Sequence, residues 1–117
     1  MTFHDDLYML IGDIIGHSEM LLSESEGALT DPQRNDIFAV LGDARQFQDI
    51  VGSAHPAELP ALSGDLSTLL MNIGGFSQLM LEFPEAYNNM LLNETQHARI
   101  QAISENVRYL LQLLDQL

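Results

Sequence analysis

Two stretches of this chain are versions of one another, and that repetition restricts the fold more than any single motif. His4 to Leu22 reads HDDLYMLIGDIIGHSEMLL, and Ser63 to Leu81 reads SGDLSTLLMNIGGFSQLML. Laid together without a gap, they pair Asp6 with Asp65, Leu7 with Leu66, Ile14 with Ile73, Gly16 with Gly75 and Ser18 with Ser77, a constant 59 positions apart. Downstream of each copy, Leu29-Thr30-Asp31-Pro32-Gln33 answers to Leu92-Asn93-Glu94-Thr95-Gln96, now 63 positions apart. The second half is a version of the first with a longer internal loop. Self-similarity of this kind means one supersecondary unit used more than once. A duplicated hairpin of two helices is the simplest account.

Both halves carry the three- and four-residue spacing of an amphipathic helix. Leu7, Leu10, Ile11, Ile14, Ile15, Ser18, Leu21 and Leu22 share one face, with Asp5 and Asp6 at the head, where acids favour the positive end of the helix dipole. Ser23 to Gly27 break the pattern. Thr30-x-x-Gln33 is then a capping box, ahead of a second stripe: Ile37, Val40, Leu41, Ala44, Phe47, Ile50 and Val51. Residues 53–64, with Pro56, Pro60 and Gly64, read as a linker. It divides a first hairpin, residues 1–52, from a second, residues 65–117.

The third helix shows Leu66, Leu69, Leu70, Ile73, Phe76, Met80 and Phe83, with a kink expected at Gly74-Gly75. It stops at Pro84, because the residue before proline is pushed out of helical geometry. Asn93-x-x-Gln96 repeats the capping signal, and Ile100, Ile103, Val107, Leu110, Leu111 and Leu114 carry the last stripe. Strand-like alternation is absent. The expectation is an all-α, antiparallel four-helix bundle with helices of about 20 residues and ~30 Å each.

Size and composition bound what such a bundle can do. At 117 residues the chain suits one domain with one core, and a hydrophobic content of 46% excludes wholesale disorder. The absence of cysteine excludes disulfides and thiolate metal sites. No apolar run approaches the ~20 residues that span a bilayer, and no basic start leads into an apolar stretch as in a signal peptide. A cytoplasmic protein is expected. Seventeen acids face four arginines, for a formal charge of −13. Such a surface repels phosphate backbones and anionic lipid, so neither nucleic acid nor membrane is an expected partner. Its acidity serves either solubility or attraction to a basic partner.

The histidines are few. His17 lies on a partly buried face and is expected to pack; His55, in the linker, is expected to be exposed. Glu94-x-x-His97 matches the Glu-x-x-His element of di-iron bundles. It occurs once, at a helix start where the acid serves the dipole, so no metal site and no cofactor are expected.

Each half resembles the dimerisation and phosphoacceptor domain of sensor histidine kinases (the HisKA or DHp type). That family opens a helical hairpin with a His-acid-Leu-Arg-Thr-Pro-Leu box, continues through a Gly-Phe-Ser-Glu-Leu-like turn, and starts its second helix with Leu-Thr/Ser-x-x-Gln. Here Gly75-Phe76-Ser77-Gln78-Leu79 and Gly16-His17-Ser18-Glu19-Met20 are similar to the middle segment, and Leu29 to Gln33 and Leu92 to Gln96 to the second-helix opening. In the family two chains supply the two hairpins. The resemblance implies that duplication supplies both in one chain, as a pseudo-dimer, and hence a monomer.

The phosphoacceptor box is where the chain departs from the family. Counted back from Gly75, the phosphoacceptor position is Gly64, followed by Asp65, Leu66, Ser67, Thr68 and Leu69; counted back from Gly16, it is Asp5, followed by Asp6, Leu7 and Tyr8. Phosphoryl transfer needs an exposed imidazole nitrogen as nucleophile, and neither position carries one. His4 lies one residue early, about 100° around the helix. The resemblance therefore implies a non-catalytic module, not an enzyme, that binds a response-regulator receiver domain or a histidine kinase and regulates phosphorelay signalling. The residues beside the vanished histidines, His4, Asp5, Asp6 and Tyr8 in one half and Asp65, Ser67 and Thr68 in the other, are its candidate docking surface. The alternatives are a phosphotransferase that uses His4 as a slipped phosphoacceptor, and a structural bundle retained from a larger signalling protein.

Overall fold

Helix α1 (Phe3–Leu22) begins where the Thr2 hydroxyl accepts a hydrogen bond from the Asp5 amide (3.1 Å) and the Asp5 carboxylate returns one to the Thr2 amide (3.4 Å). Three further helices follow in a computed structural model that describes residues 2–84 and 91–117: α2 (Asp31–Ser53), α3 (Leu59–Glu82) and α4 (Glu94–Leu114). Both expected capping boxes form. Gln33 and Thr30 satisfy each other's amides at 2.9 and 3.2 Å, and Gln96 and Asn93 do so at 3.0 and 2.8 Å.

Each helix packs on two neighbours: α1 on α2 and α4, and α3 on α2 and α4. The result is a four-helix bundle, all-α among the described residues, as the periodicity predicts. Its extents of 45 × 23 × 19 Å suit helices of 20 to 24 residues, which at 1.5 Å per residue run about 30–36 Å. No described helix is long and apolar enough to cross a membrane.

The burial pattern carries the repeat into three dimensions. Leu7, Ile11, Ile14, Ser18 and Leu21 are the buried residues of α1; 59 positions on, Leu66, Leu70, Ile73, Ser77 and Met80 are buried in α3. The buried set of α2, Gln33, Ile37, Val40, Ala44, Phe47 and Val51, maps 63 positions on to Gln96, Ile100, Ile103, Val107, Leu110 and Leu114. Leu41 falls out of step, answering to half-buried Ser104, and so does Leu69, answering to half-buried Leu10. Even the polar core is duplicated. The Ser18 hydroxyl donates to the Ile14 carbonyl at 2.8 Å, and the Ser77 hydroxyl to the Ile73 carbonyl at 2.8 Å. A buried hydroxyl without such a partner costs roughly 1–3 kcal/mol. Exchanging the hairpins thus preserves both the core and the set of packed neighbours.

One local expectation is corrected. The linker is not residues 53–64. After a single 3₁₀ turn, Pro56–Glu58, α3 starts at Leu59. Pro60 sits in its first turn, where proline is tolerated because that N–H has no helical partner. Leu59 is buried and Leu62 half-buried against the core, so the third stripe starts about two turns early. Gly64 is consequently inside a helix. The helix continues through Gly74-Gly75 to Glu82. Phe83 then leaves helical geometry (φ −129°, ψ 69°) ahead of Pro84, as expected. The longer loop of the second hairpin falls largely outside the described residues.

The α1–α2 loop is held by the other half of the molecule. Gly27 has φ +151°, and a Cβ there would stand 2.4 Å from Asn93 Nδ2 and 2.7 Å from Gln96 Nε2. Those two amides donate to the Glu26 and Ala28 carbonyls at 2.6 and 3.3 Å. The loop of the first hairpin therefore rests on the start of α4.

Candidate functional site

The helices α1 and α3 begin, and α2 and α4 finish, at the same end of the bundle, and this end carries Asp5 and Gly64, the positions that the resemblance aligns with a phosphoacceptor. Asp5 is exposed, its carboxyl held below the usual carboxylate range by its hydrogen bonds with Thr2. Gly64 is exposed on the second turn of α3. A Cβ there would meet nothing within 4 Å. The Gly64 carbonyl accepts a hydrogen bond from the Thr68 hydroxyl at 3.0 Å.

His4 is not the solvated side chain that its place near the chain start suggests. Its ring is half-buried, and Nε2 donates to the Val51 carbonyl at 2.6 Å, tying the start of α1 to the end of α2. Tyr8 lies on the same flank, its ring facing Gly52. Asp6 lies on the other flank of α1, toward α4. Asp65 and Thr68 face α2, while half-buried Ser67 occupies the position equivalent to Tyr8. The candidate residues thus do not form one surface. They divide among the grooves between helices.

Two of these grooves are the same place in the two halves. One, of about 350 Å³, opens between α1 and α4 and is lined by Asp6, Met9, Leu10, Tyr109 and Leu113, together with Gln112 and Gln116. The other, of about 390 Å³, opens between α2 and α3 and is lined by Asp65, Thr68, Leu69, Gln46 and Ile50. Under the offsets of 59 and 63 positions, Asp6 answers to Asp65, Met9 to Thr68, Leu10 to Leu69, Tyr109 to Gln46 and Leu113 to Ile50. The acid and the inner aliphatic residues persist. The two outer residues differ, Met9 and Tyr109 in one groove against Thr68 and Gln46 in the other. Tyr109 is 60% and Met9 48% exposed. Sequence reading singles out Asp6, Asp65 and Thr68 but misses Met9 and Tyr109. The available signal was their place off the core stripe of their helices.

At the opposite end a polar cluster joins three segments. Arg99 of α4 pairs through Nε and Nη2 with both carboxylate oxygens of Glu26, the latter contact at 2.8 Å, and its Nη1 donates to His17 Nδ1 at 3.1 Å. Burial first, and then the neighbouring Arg99 charge, pushes the His17 pKa below 6.5. The hydrogen bond from Arg99 holds the Glu26 carboxyl below its ordinary 4.5. His17 packs, as expected. Exposed His55 caps the 3₁₀ turn by accepting from the Ala57 amide at 3.2 Å. His97 is exposed. Among the described residues no three His, Asp or Glu side chains converge as metal ligands.

The chain matches no family model, no curated protein and no solved structure.

Proposed function

We propose that this protein is a non-catalytic docking module of phosphorelay signalling, built like a duplicated histidine-kinase hairpin, which binds a receiver domain without exchanging phosphate with it. What carries the reading is the pairing of an open groove with an empty nucleophile position in each half. Asp6 and Asp65 stand in equivalent grooves, one residue beyond Asp5 and Gly64, and neither of those positions presents an imidazole. The nearest histidine, His4, has its Nε2 proton committed to Val51 and lies one residue short of Asp5, about 100° around the helix. Partners of this class place its action in the cytoplasm, as a monomer whose two hairpins satisfy each other.

The test is calorimetric titration of the purified protein with a panel of receiver domains, run in parallel with radiolabelled phospho-receivers. Binding to at least one receiver with no label passing to this chain is the expected result. An acid-labile, alkali-stable label that disappears in His4→Ala would replace the docking module by a phosphotransferase. Binding to no receiver would leave the bundle without this role.

A further inference from the structure

We propose that the groove between α1 and α4 is the docking site for a basic amphipathic helix of a protein partner, and that its counterpart between α2 and α3 is not, so that the two-fold repeat binds its partner on one side only. The proposal rests on reading the chain as a docking module but not on the partner being a receiver domain.

The first argument is the contrast between equivalent places. Met9 and Tyr109 both stand off the buried stripe of their helices and project large apolar surface beside Leu10 and Leu113. Thr68 and Gln46 occupy the same two places in the other groove and make it polar. The shared scaffold does not require the apolar pair, since the second groove folds without it. An exposed tyrosine beside aliphatic residues is the composition that dominates binding energy at protein interfaces.

The second argument is charge. Asp6 lines the groove, Asp13 is exposed on the same flank of α1 and close enough to act on His17, and Glu105 shares a surface cleft with Tyr109. Arg108 lines that cleft as well, and also the groove between α3 and α4, so one cation stands among the three acids of this flank. Apolar floor and acidic margin together fit an occupant with an apolar stripe flanked by lysine or arginine, and complementary charge speeds and orients such docking.

The third argument is shape and exclusion. A furrow between two neighbouring helices accepts a third helix, whose residues at i, i+3, i+4 and i+7 fill it. A second copy of this chain is a poor occupant. With four arginines, no lysine and a charge of −13, it would bring acid against acid.

The probe is a fluorescent helical peptide with leucine on one face and lysine on the other, measured by anisotropy against the intact protein. A control peptide carries glutamate in place of lysine. The lysine peptide is expected to bind at one site per chain and to weaken as salt is raised. Tyr109→Ala and Met9→Gln should each loosen it by about tenfold, whereas Gln46→Ala leaves it unchanged. The double variant Gln46→Tyr, Thr68→Met should raise the stoichiometry toward two, which keeps the test decisive should a groove-emptying variant misfold. Equal binding by wild type and Tyr109→Ala, equal binding of the glutamate peptide, or no binding at all would overturn the proposal. So would self-association of the wild type that Tyr109→Ala abolishes, which would make a second copy the occupant. A negative receiver panel together with groove-dependent peptide binding would remove the phosphorelay reading and leave this one standing.

Discussion

His4 Nε2 and the Val51 carbonyl oxygen lie 2.6 Å apart across 47 residues of sequence, closing α1 onto the end of α2. Helix α2 ends at Ser53, so the Val51 carbonyl is one of those left without a helical partner at the terminus. Replacing the imidazole removes its satisfaction by protein. His4→Ala should lower the unfolding free energy by about 1 kcal/mol, read from the urea midpoint at neutral pH. A variant as stable as the wild type would show that solvent replaces the contact at no cost.

Two glycines should respond in opposite directions. Gly27 combines φ +151° with two side-chain nitrogens closer than 3 Å to any added Cβ, so Gly27→Ala should destabilise by about 1–3 kcal/mol. Gly75 is exposed in mid-helix with nothing within 4 Å, and Gly75→Ala should stabilise by up to ~1 kcal/mol. Urea titrations of the two variants beside the wild type decide it; a stabilised Gly27→Ala would contradict the loop packing.

The pH dependence should fall into two windows. The His17 pKa is lower in the folded protein than its ordinary 6.5. As pH falls below that value the unfolded chain takes up the proton first, and stability declines. Glu26 and Glu24 have folded pKa values below 4.5, through their hydrogen bonds with Arg99 and Arg34. Their contribution is present above 4.5 and is lost as pH falls further. Denaturation between about pH 7.5 and about pH 5 should therefore show a decline that His17→Gln reduces, while the acid loss below 4.5 persists in that variant. An unchanged decline in His17→Gln would assign it to other groups.

Gly64 allows the proposed ancestry of the site to be tested by restoration. It is exposed, helical, next to Asp65, and has open space around the missing side chain. Gly64→His would present an imidazole beside a carboxylate, the pair that phosphoryl transfer needs. Incubated with phosphorylated receivers, this variant should acquire an acid-labile, alkali-stable label that the wild type lacks. Failure with every receiver that binds would separate the resemblance from the phosphoacceptor geometry.

The bundle itself was legible because it is written in local periodicity. Every buried apolar residue of α1 and α4 lies on a stripe visible in sequence, and the capping boxes at Thr30 and Asn93 mark two helix starts directly. The start of α3 was not legible from Pro60 and Gly64 read as breakers, because proline in a first turn breaks nothing and Leu59 and Leu62 continue the stripe. The contrast between the grooves lies deeper. Tyr109 meets Met9 only because α4 packs on α1, across a separation that no local pattern reports. The same holds for Arg99, Glu26 and His17, which come from α4, the α1–α2 loop and α1.

Joining both hairpins in one chain has a consequence for how the two faces can differ. In an assembly of two identical chains, a substitution that turns one groove apolar turns its mate apolar as well, because a single codon specifies both. Here Met9 and Thr68, or Tyr109 and Gln46, are separate codons for what is structurally one position. Covalent duplication keeps the shared core while releasing each face to be altered alone, so an inherently symmetric scaffold can acquire a front and a back.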